Sequence, residues 1–177
     1  MEKTEKLVHE GNIFLNELEF DQAFDSFQQA LKLDPKNSQA YFGRAEASLG
    51  IQNVATEQIA KDYEKAIELN GSEPFYYVRY GGYCIDEMLF KKAEECYNKA
   101  AEIDEENSRH YFSEFANEYV FMENVSKELK PGKSRTKRVY TKALSYLLKG
   151  IDLDPEAARD FLTVMLEEGD KEEEGEE

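Results

Sequence analysis

The sequence contains no tryptophan, only two histidines and two cysteines, and far fewer basic than acidic residues. Two cysteines, Cys84 and Cys96, cannot build a disulfide framework, so we expect free thiols in a reducing compartment. The 22 lysine and arginine residues stand against 38 aspartate and glutamate residues, which leaves a net charge of −16. This charge would repel phosphates and anionic lipids, and it therefore argues against general binding of nucleic acid or of membrane surfaces.

Long apolar runs are also missing, and none approaches the roughly 20 residues that a membrane-spanning helix needs. The first residues, MEKTEKLVHEG, lack the apolar core of an export signal. These absences predict a cytoplasmic protein with no membrane partner. The hydrophobic content of 41% is sufficient for a packed interior, and 177 residues can form one domain or a short repeat array.

Three segments share one spacing of small and aromatic residues: FDQAFDSFQQALKLDPKN from Phe20, AKDYEKAIELNGSE from Ala60 and FKKAEECYNKAAEIDEEN from Phe90. Each has an alanine (Ala30, Ala66, Ala100) preceded three residues earlier by an aromatic residue (Phe27, Tyr63, Tyr97). A fourth copy, YTKALSYLLKGIDLDPEA, begins at Tyr140. The apolar spacing of three and four residues predicts helices, and repetition at a fixed period predicts a repeat array.

Local signals place the ends of these helices. Asp34-Pro35 should stop one helix, because the residue before proline disfavours helical backbone. Ser38, Ser72 and Ser108 are candidate N-caps. Small residues such as Gly11 should let neighbouring helices approach closely, with aromatic rings filling the space beside them.

The segments resemble the tetratricopeptide repeat family, whose unit is about 34 residues. We assign repeats to residues 4–37, 38–73, 74–107 and 108–157, followed by a capping helix at 156–168. The resemblance implies an all-α, right-handed solenoid of antiparallel helix pairs over residues 1–168. A basic insertion near 123–138 interrupts the fourth repeat, and the acidic tail at 169–177 should be disordered.

No catalytic constellation is evident in the chain. His9 and His110 are far apart in sequence and have no partners at a metal-ligand spacing, so we predict solvated or packing roles and no metal or cofactor. Cys84 and Cys96 fit buried, inert thiols. Gly81-Gly82 lies inside a predicted helix and fits close helix packing. We therefore predict a protein that is not an enzyme.

In tetratricopeptide arrays the first helix of each pair lines a concave groove that holds extended peptides or helices of partner proteins. The resemblance therefore implies a binding groove here, whose fifth and twelfth slots are apolar throughout. An alternative is that the groove is filled by the chain's own C-terminus. The candidate groove residues are Val8, Asn12, Leu15, Phe42, Glu46, Leu49, Phe75, Val78, Arg79, Ile85, Arg109, Phe112 and Tyr119.

One subset of the family binds the acidic C-terminal tails of heat-shock chaperones through a clamp of lysine, asparagine and arginine side chains. The matching positions here hold Val8, Asn12, Gly43, Phe75 and Arg79. Only Asn12 and Arg79 agree, and both lysines are absent. A carboxylate needs several converging donors to offset its desolvation, so this pattern argues against a clamp.

The insertion ENVSKELKPGKSRTKR from Glu123 to Arg138 holds six basic residues against two acidic ones, a net charge of +4. Its lack of apolar periodicity and its Pro-Gly pair predict a mobile loop. Three readings stay open: a solvated loop, a contact for nucleic acid, or a dock for an acidic partner or for the chain's own tail. The candidate dock residues are Lys133, Arg135, Lys137 and Arg138.

The interpretation that these features favour is a non-catalytic adaptor that binds a protein or peptide partner, with a monomer as the favoured state. Two alternatives remain. One is a dedicated chaperone for a single client protein, similar in size and charge to the chaperones of bacterial secretion systems. The other is a structural solenoid that assembles with copies of itself.

Overall fold

The structure is a computed structural model that describes residues 2–129, with side chains through Tyr119, and the helical residues Ala143, Ser145, Tyr146 and Leu148. The chain divides into two compact units, residues 1–76 and 77–177. The capping helix predicted at 156–168, the acidic tail and the four candidate dock residues lie outside the described residues.

The described part is built from helices and contains no β-strand, so the fold is an all-α helical repeat fold, as predicted. The helices are α1 (Lys3–Asn16), α2 (Phe20–Leu33), α3 (Ser38–Leu49), α4 (Thr56–Leu69), α5 (Pro74–Asp86), α6 (Phe90–Ile103) and α7 (Ser108–Leu129), with a short 3₁₀ helix (Glu105–Asn107) before α7. Among the described residues, no helix is both long and apolar enough to cross a membrane.

In the first unit, α1 packs on α2, α2 on α3, and α3 on α4. The ring of Phe27 on α2 is fully buried and lies against two glycines, Gly11 of α1 and Gly43 of α3. A Cβ atom at Gly11 would stand 2.7 Å from Phe27 Cζ, and one at Gly43 would overlap the same ring. The prediction that a small residue and an aromatic ring set the helix spacing is therefore confirmed.

In the second unit, α6 packs on α7. Gly81 of α5 faces the buried ring of Tyr97 on α6, because a Cβ atom there would lie 2.8 Å from Tyr97 Cε2. The neighbouring Gly82 has only ordinary contacts, the nearest at 3.4 Å from Glu118 Oε2. Close helix packing is thus confirmed for the first glycine of the pair.

The turns inside the first and third helix pairs have the same backbone. The N–H of Glu19 donates to the carbonyl of Phe14, and that of Leu18 donates to Leu15. Leu18 lies in the left-handed region with φ 61°. These two hydrogen bonds, together with the left-handed residue, form a Schellman motif, which satisfies the last carbonyls of a helix. Met88 occupies the same place after α5, with φ 59°.

The predicted stop at Asp34-Pro35 is confirmed, since α2 ends at Leu33 and Asp34 is its extended C-cap. The predicted N-caps are wrong. Asn37 caps α3, because its side chain accepts a hydrogen bond from Ala40 N at 2.9 Å, and Ser38 is the first helical residue. Ser72 instead donates to Asn70 Oδ1, since α5 begins two residues later at Pro74. Ser108 likewise lies inside α7 as its first residue.

The start of the basic insertion differs from the predicted loop. Helix α7 continues to Leu129, so residues 123–129 are helical. Neither glycine nor proline occurs in α7, and the first residue that breaks a helix is Pro131. The rest of the insertion lies outside the described residues.

Candidate functional site

The candidate residues of the first unit come from the first helix of each repeat and from the start of α5. We call them the first-unit face. Val8 is buried, Leu15, Phe42 and Glu46 are half-buried, and Asn12, Leu49 and Phe75 are exposed. The three helices that carry them are α1, α3 and α5, and α1 contacts α3.

An aromatic cluster occupies one end of the first-unit face. The ring of Phe42 stacks on that of Tyr76 with centroids 4.7 Å apart and meets the edge of Tyr63 at 6.0 Å. Phe75 lies 5.5 Å from Phe42 and keeps 53% of its surface exposed. Tyr63 and Tyr76 are buried, so they hold Phe42 while Phe75 presents a ring to solvent.

Glu46 follows Phe42 by one helical turn on α3. The hydroxyl of Tyr63 donates to Glu46 Oε1 over 2.5 Å. Tyr63 is a residue of the repeat signature on α4, whereas Glu46 was predicted from its groove slot. This hydrogen bond orients the carboxylate beside the aromatic cluster, because the buried ring of Tyr63 cannot move freely.

Two of the five clamp positions are occupied by residues that pack in the core of the first unit. Val8 is only 6% exposed, and Gly43 lies under the ring of Phe27, where any side chain would overlap that ring. An asparagine could not replace Gly43 without moving Phe27. The packing of these two residues therefore supports the prediction that this chain lacks the chaperone-tail clamp.

The remaining candidate residues belong to the second unit, where we call them the second-unit face. Val78 and Ile85 of α5 are buried and contribute to the core. Arg79 is exposed, whereas Arg109, Phe112 and Tyr119 are half-buried.

The aromatic residues of the second-unit face pack against their own unit. Phe112 lies 5.9 Å from Tyr146, and Tyr119 lies 4.9 Å from Phe90 and 5.5 Å from Phe115. Tyr146 is anchored in turn, because its hydroxyl donates to Glu94 Oε1 at 2.5 Å. Much of the surface of these candidate residues is therefore used in the core.

Two glutamates of α7 surround one phenol. The hydroxyl of Tyr97 lies 3.2 Å from Glu114 Oε1 and 3.1 Å from Glu118 Oε2. Burial raises the pKa of both carboxyls, and the pKa of Glu118 is raised further by the charges of Glu114 and Asp86. Arg79 opposes these shifts. Sequence analysis missed this group, because the spacing from Tyr97 to α7 depends on the turn between the helices.

A buried ion pair joins α3 to α4. Arg44 Nε and Nη2 donate to the two oxygens of Asp62, each at 2.7 Å, and Gln58 adds a third hydrogen bond at 3.1 Å. The side chains of Arg44 and Asp62 are only 16% and 3% exposed. Sequence analysis missed this pair too, since the partners are 18 residues apart and both charges occur in a chain full of charges.

The cysteines and histidines of the described residues differ in their exposure. Cys84 and Cys96 are buried free thiols, as predicted, and His9 and His110 are exposed. Within residues 2–129 and the four described residues beyond them, no group of three or more histidine, cysteine or acidic side chains could hold a metal ion.

The sequence profile of the tetratricopeptide repeat matches residues 7–37 and 76–107. These two matches coincide with α1–α2 and α5–α6, which carry the glycine-on-aromatic contacts described above. These two segments of the chain are therefore tetratricopeptide repeats, as the sequence analysis predicted.

Curated relatives come from Dictyostelium discoideum. The chain is 28% identical over 152 residues to a DnaJ homolog subfamily C member 7 homolog, which covers 77% of the chain and 28% of that protein. It is 33% identical over 103 residues to a small glutamine-rich tetratricopeptide repeat-containing protein, covering 58% of the chain and 30% of the relative. The chain thus spans less than a third of the length of the curated relatives it matches.

Solved structures share the fold. MamA matches with a TM-score of 0.67 at 18% identity, covering 88% of this chain and 81% of MamA. The tetratricopeptide domain of Sgt2 from Aspergillus fumigatus matches with a TM-score of 0.59 at 24% identity, covering 75% of this chain and 84% of the Sgt2 domain. The first tetratricopeptide domain of Spaghetti (RPAP3), bound to the HSP90 peptide SRMEEVD, matches with a TM-score of 0.57 at 24% identity. The match covers 72% of this chain and 93% of the Spaghetti domain. These similarities bear on the fold.

Proposed function

We propose that this protein is a non-catalytic, cytoplasmic adaptor that binds a peptide or helix of a partner protein through the first helices of its repeats. The observation that carries this proposal is the exposed ring of Phe75, which lies against Phe42 on the first-unit face. A large aromatic side chain held in place but open to solvent is typical of a binding anchor.

The aromatic cluster favours binding because its geometry is already fixed. Tyr63 and Tyr76 are buried and hold Phe42 by ring contacts. A partner side chain placed on Phe75 would therefore gain contact area without first ordering the platform beneath it. The second-unit face offers less surface, since Val78 and Ile85 are buried.

A known relative of the fold supports peptide binding as the activity. The Spaghetti domain is bound to the HSP90 peptide SRMEEVD, in which three of the last four residues are acidic. We do not infer the same ligand for this chain, because three of the clamp positions here hold Val8, Gly43 and Phe75. We infer a shared mode of binding with a different ligand.

The substitution Phe75→Ala tests the proposal. It removes the exposed ring, so partner affinity should fall by about tenfold or more, while the melting temperature should change by no more than about 2 °C. The measurement compares wild type and variant as baits for proteins of the source cell, by quantitative mass spectrometry, followed by titration of each partner that is retained.

The matched control is Leu33→Ala at the end of α2. Leu33 is 49% exposed, close to the 53% of Phe75, and lies on a second helix of a repeat. Its loss should leave capture unchanged. Equal retention of partners by wild type and Phe75→Ala would contradict the proposal.

A further inference from the structure

We propose that Glu114 and Glu118 of α7 share one proton through the hydroxyl of Tyr97 on α6, and that loss of this proton loosens α7 from α6. The three side chains thereby form a pH-sensitive latch within the second unit. The latch operates whichever partner the protein binds, so it goes beyond the proposed function and does not depend on it.

The hydrogen-bonding capacity of a phenol sets the number of protons in the latch. The oxygen of Tyr97 lies 3.2 Å from Glu114 Oε1 and 3.1 Å from Glu118 Oε2, within hydrogen-bonding distance of both carboxyls. A phenol has one hydrogen to donate to one of them, and its oxygen can accept one hydrogen in return. The second contact is therefore a hydrogen bond only when the other carboxyl carries a proton.

Tyr97 keeps its hydrogen and its position. Its side chain is fully buried, and its ring lies against Gly81 of α5 and 5.3 Å from the ring of Phe115 on α7. Burial and the two neighbouring carboxylates raise the pKa of Tyr97 far above its usual value, so the phenol stays neutral. With both carboxyls ionised, one carboxylate would face a lone pair of the phenol oxygen, which is repulsive.

The surroundings of the two glutamates also favour the protonated form. Both side chains are half-buried, and this burial is the main cause that raises the pKa of each carboxyl. Two charges of α5 add to or oppose the shift, since Asp86 raises the pKa of Glu118 and Arg79 lowers the pKa of both. The net direction is upward for both carboxyls. The packing of α7 should therefore be tightest at low pH and weaken as the pH rises through the pKa of the folded pair.

Two acidic side chains on other elements that pack on α7 have donors of their own. Asp104, just before the 3₁₀ helix, accepts a hydrogen bond from Tyr111 at 2.7 Å. Glu94 of α6 accepts one from Tyr146, whose ring lies on Phe115. Neither carboxylate contributes to the pKa shifts of the latch glutamates. Within the described part of the chain, the latch thus responds to pH through its own three side chains and the two charges of α5.

Opening of the latch should be confined to the second unit. Residues 1–76 form the first unit and contain none of the three latch side chains. Helix α7 carries Arg109, Phe112 and Tyr119 of the second-unit face, so a change in its packing would alter that face and leave the first-unit face as it is.

Hydrogen exchange measured by mass spectrometry tests the latch in the full chain. Exchange rates are corrected for the intrinsic effect of pH, which gives a protection factor for peptides from each helix. Between pH 5 and pH 7.5, the protection of α7 should fall about threefold to tenfold, because one unit of pKa shift corresponds to a factor of ten. The protection of α1 and α2 should change by less than about twofold.

The variant Glu118→Gln gives the latch a donor that does not titrate. Its amide can donate to the phenol oxygen at any pH while the phenol donates to Glu114. Helix α7 of this variant should therefore keep at pH 7.5 most of the protection that wild type has at pH 5. Glu95→Gln, which removes an exposed carboxyl of α6, is the control and should behave as wild type does.

A carbon-13 NMR titration of the glutamate carboxyls gives a second measurement on wild type that needs no variant. At least one of the signals of Glu114 and Glu118 should titrate above the usual glutamate value. The proposal is overturned if both titrate at or below that value, if α7 loses no protection or both units lose it equally, or if Glu118→Gln loses as much protection as wild type.

Discussion

At the scale of single residues, the contact between a glycine and an aromatic ring recurs in both units. Phe27 lies on Gly11 and Gly43, and Tyr97 lies on Gly81. A glycine normally weakens a helix by about 1 kcal/mol relative to alanine. Its presence inside α1, α3 and α5 therefore reflects packing, because the ring occupies the space that a methyl group would need.

Two adjacent glycines of α5 allow a test of whether a glycine is needed beneath the aromatic ring. Gly81→Ala should lower the free energy of unfolding by about 1–3 kcal/mol, because the new Cβ atom would lie 2.8 Å from the ring of Tyr97. Gly82→Ala is the matched control and should be neutral or stabilising by up to about 1 kcal/mol, since its nearest contact is at 3.4 Å. Urea unfolding of both variants measures the difference, and equal effects would contradict the packing argument.

The two glutamates beside Tyr97 predict a pH effect. A phenol has one hydrogen to donate, so only one of Glu114 and Glu118 can receive it at a time. Burial raises the pKa of both carboxyls above the value of about 4.5 expected in the unfolded chain. The stability that their protonation contributes is complete below that pH and is lost as pH rises through the folded pKa.

The test is Glu118→Gln, which removes the titrating group but keeps its shape. Between pH 5 and pH 7.5, wild type should lose more stability than this variant, because wild type has two carboxyls with a raised pKa to deprotonate and the variant keeps only Glu114. The urea midpoints at the two pH values measure the loss, with Glu95→Gln, an exposed residue of α6, as the control. A loss in Glu118→Gln that equals that of wild type would show that the carboxyl titrates normally.

Sequence patterns reveal some residue contacts and not others. Gly11 and Phe27 could be assigned to a contact because both occupy positions of a repeating pattern. The hydrogen bond from Tyr63 to Glu46 and the ion pair of Arg44 with Asp62 could not, since each joins one variable position to a partner 17 or 18 residues away. Which acidic residue faces a given partner depends on the rotation of two helices about their axes.

At the scale of elements, the Schellman turns after α1 and α5 place Leu18 and Met88 in the left-handed region. This backbone costs a residue with a Cβ atom about 1–2 kcal/mol. Both side chains are exposed, at 70% and 47%, so their packing offsets little of this unfavourable backbone energy. The turns therefore keep strain that a glycine would relieve.

Leu18→Gly should raise the free energy of unfolding by about 0.5–1 kcal/mol, because the relief of the left-handed strain exceeds the added freedom of glycine in the unfolded chain. Leu18→Ala is the control, since it removes the same exposed side chain but keeps the Cβ atom. Thermal and urea unfolding would check this, and a loss of stability in Leu18→Gly would refute it.

Helix ends were predicted well where one residue decides them and less well where several compete. Pro35 fixes the end of α2 on steric grounds alone. The sequence analysis predicted Ser38 as the N-cap of α3, whereas the preceding residue, Asn37, makes the capping bond at 2.9 Å. The predicted loop at 123–138 begins too early, because the lack of apolar periodicity was applied to the whole insertion although α7 continues to Leu129, just before Pro131.

At the scale of the whole molecule, the family and the all-α fold could be predicted from the sequence because the evidence is repeated along the chain. The candidate binding surface follows from the sequence only as a set of slots, and it stays a proposal. Side-chain packing then separates exposed positions such as Phe75 from buried ones such as Val78 and Ile85. The repeat boundaries and the dock at Lys133, Arg135, Lys137 and Arg138 stay predictions.

The buried pair of Arg44 and Asp62 has a consequence for how a chain of similar helix pairs finds its correct partners. Asp62 directly precedes Tyr63, and the residues that directly precede the matching aromatics Phe27 and Tyr97 are Ser26 and Cys96. If α3 paired with α6 in place of α4, the charge of Arg44 would be buried opposite the neutral Cys96, which is strongly unfavourable. A repeat protein whose helix pairs look interchangeable thus carries one helix whose own pair partner is specified by a buried charge, and this disfavours mispairing during folding.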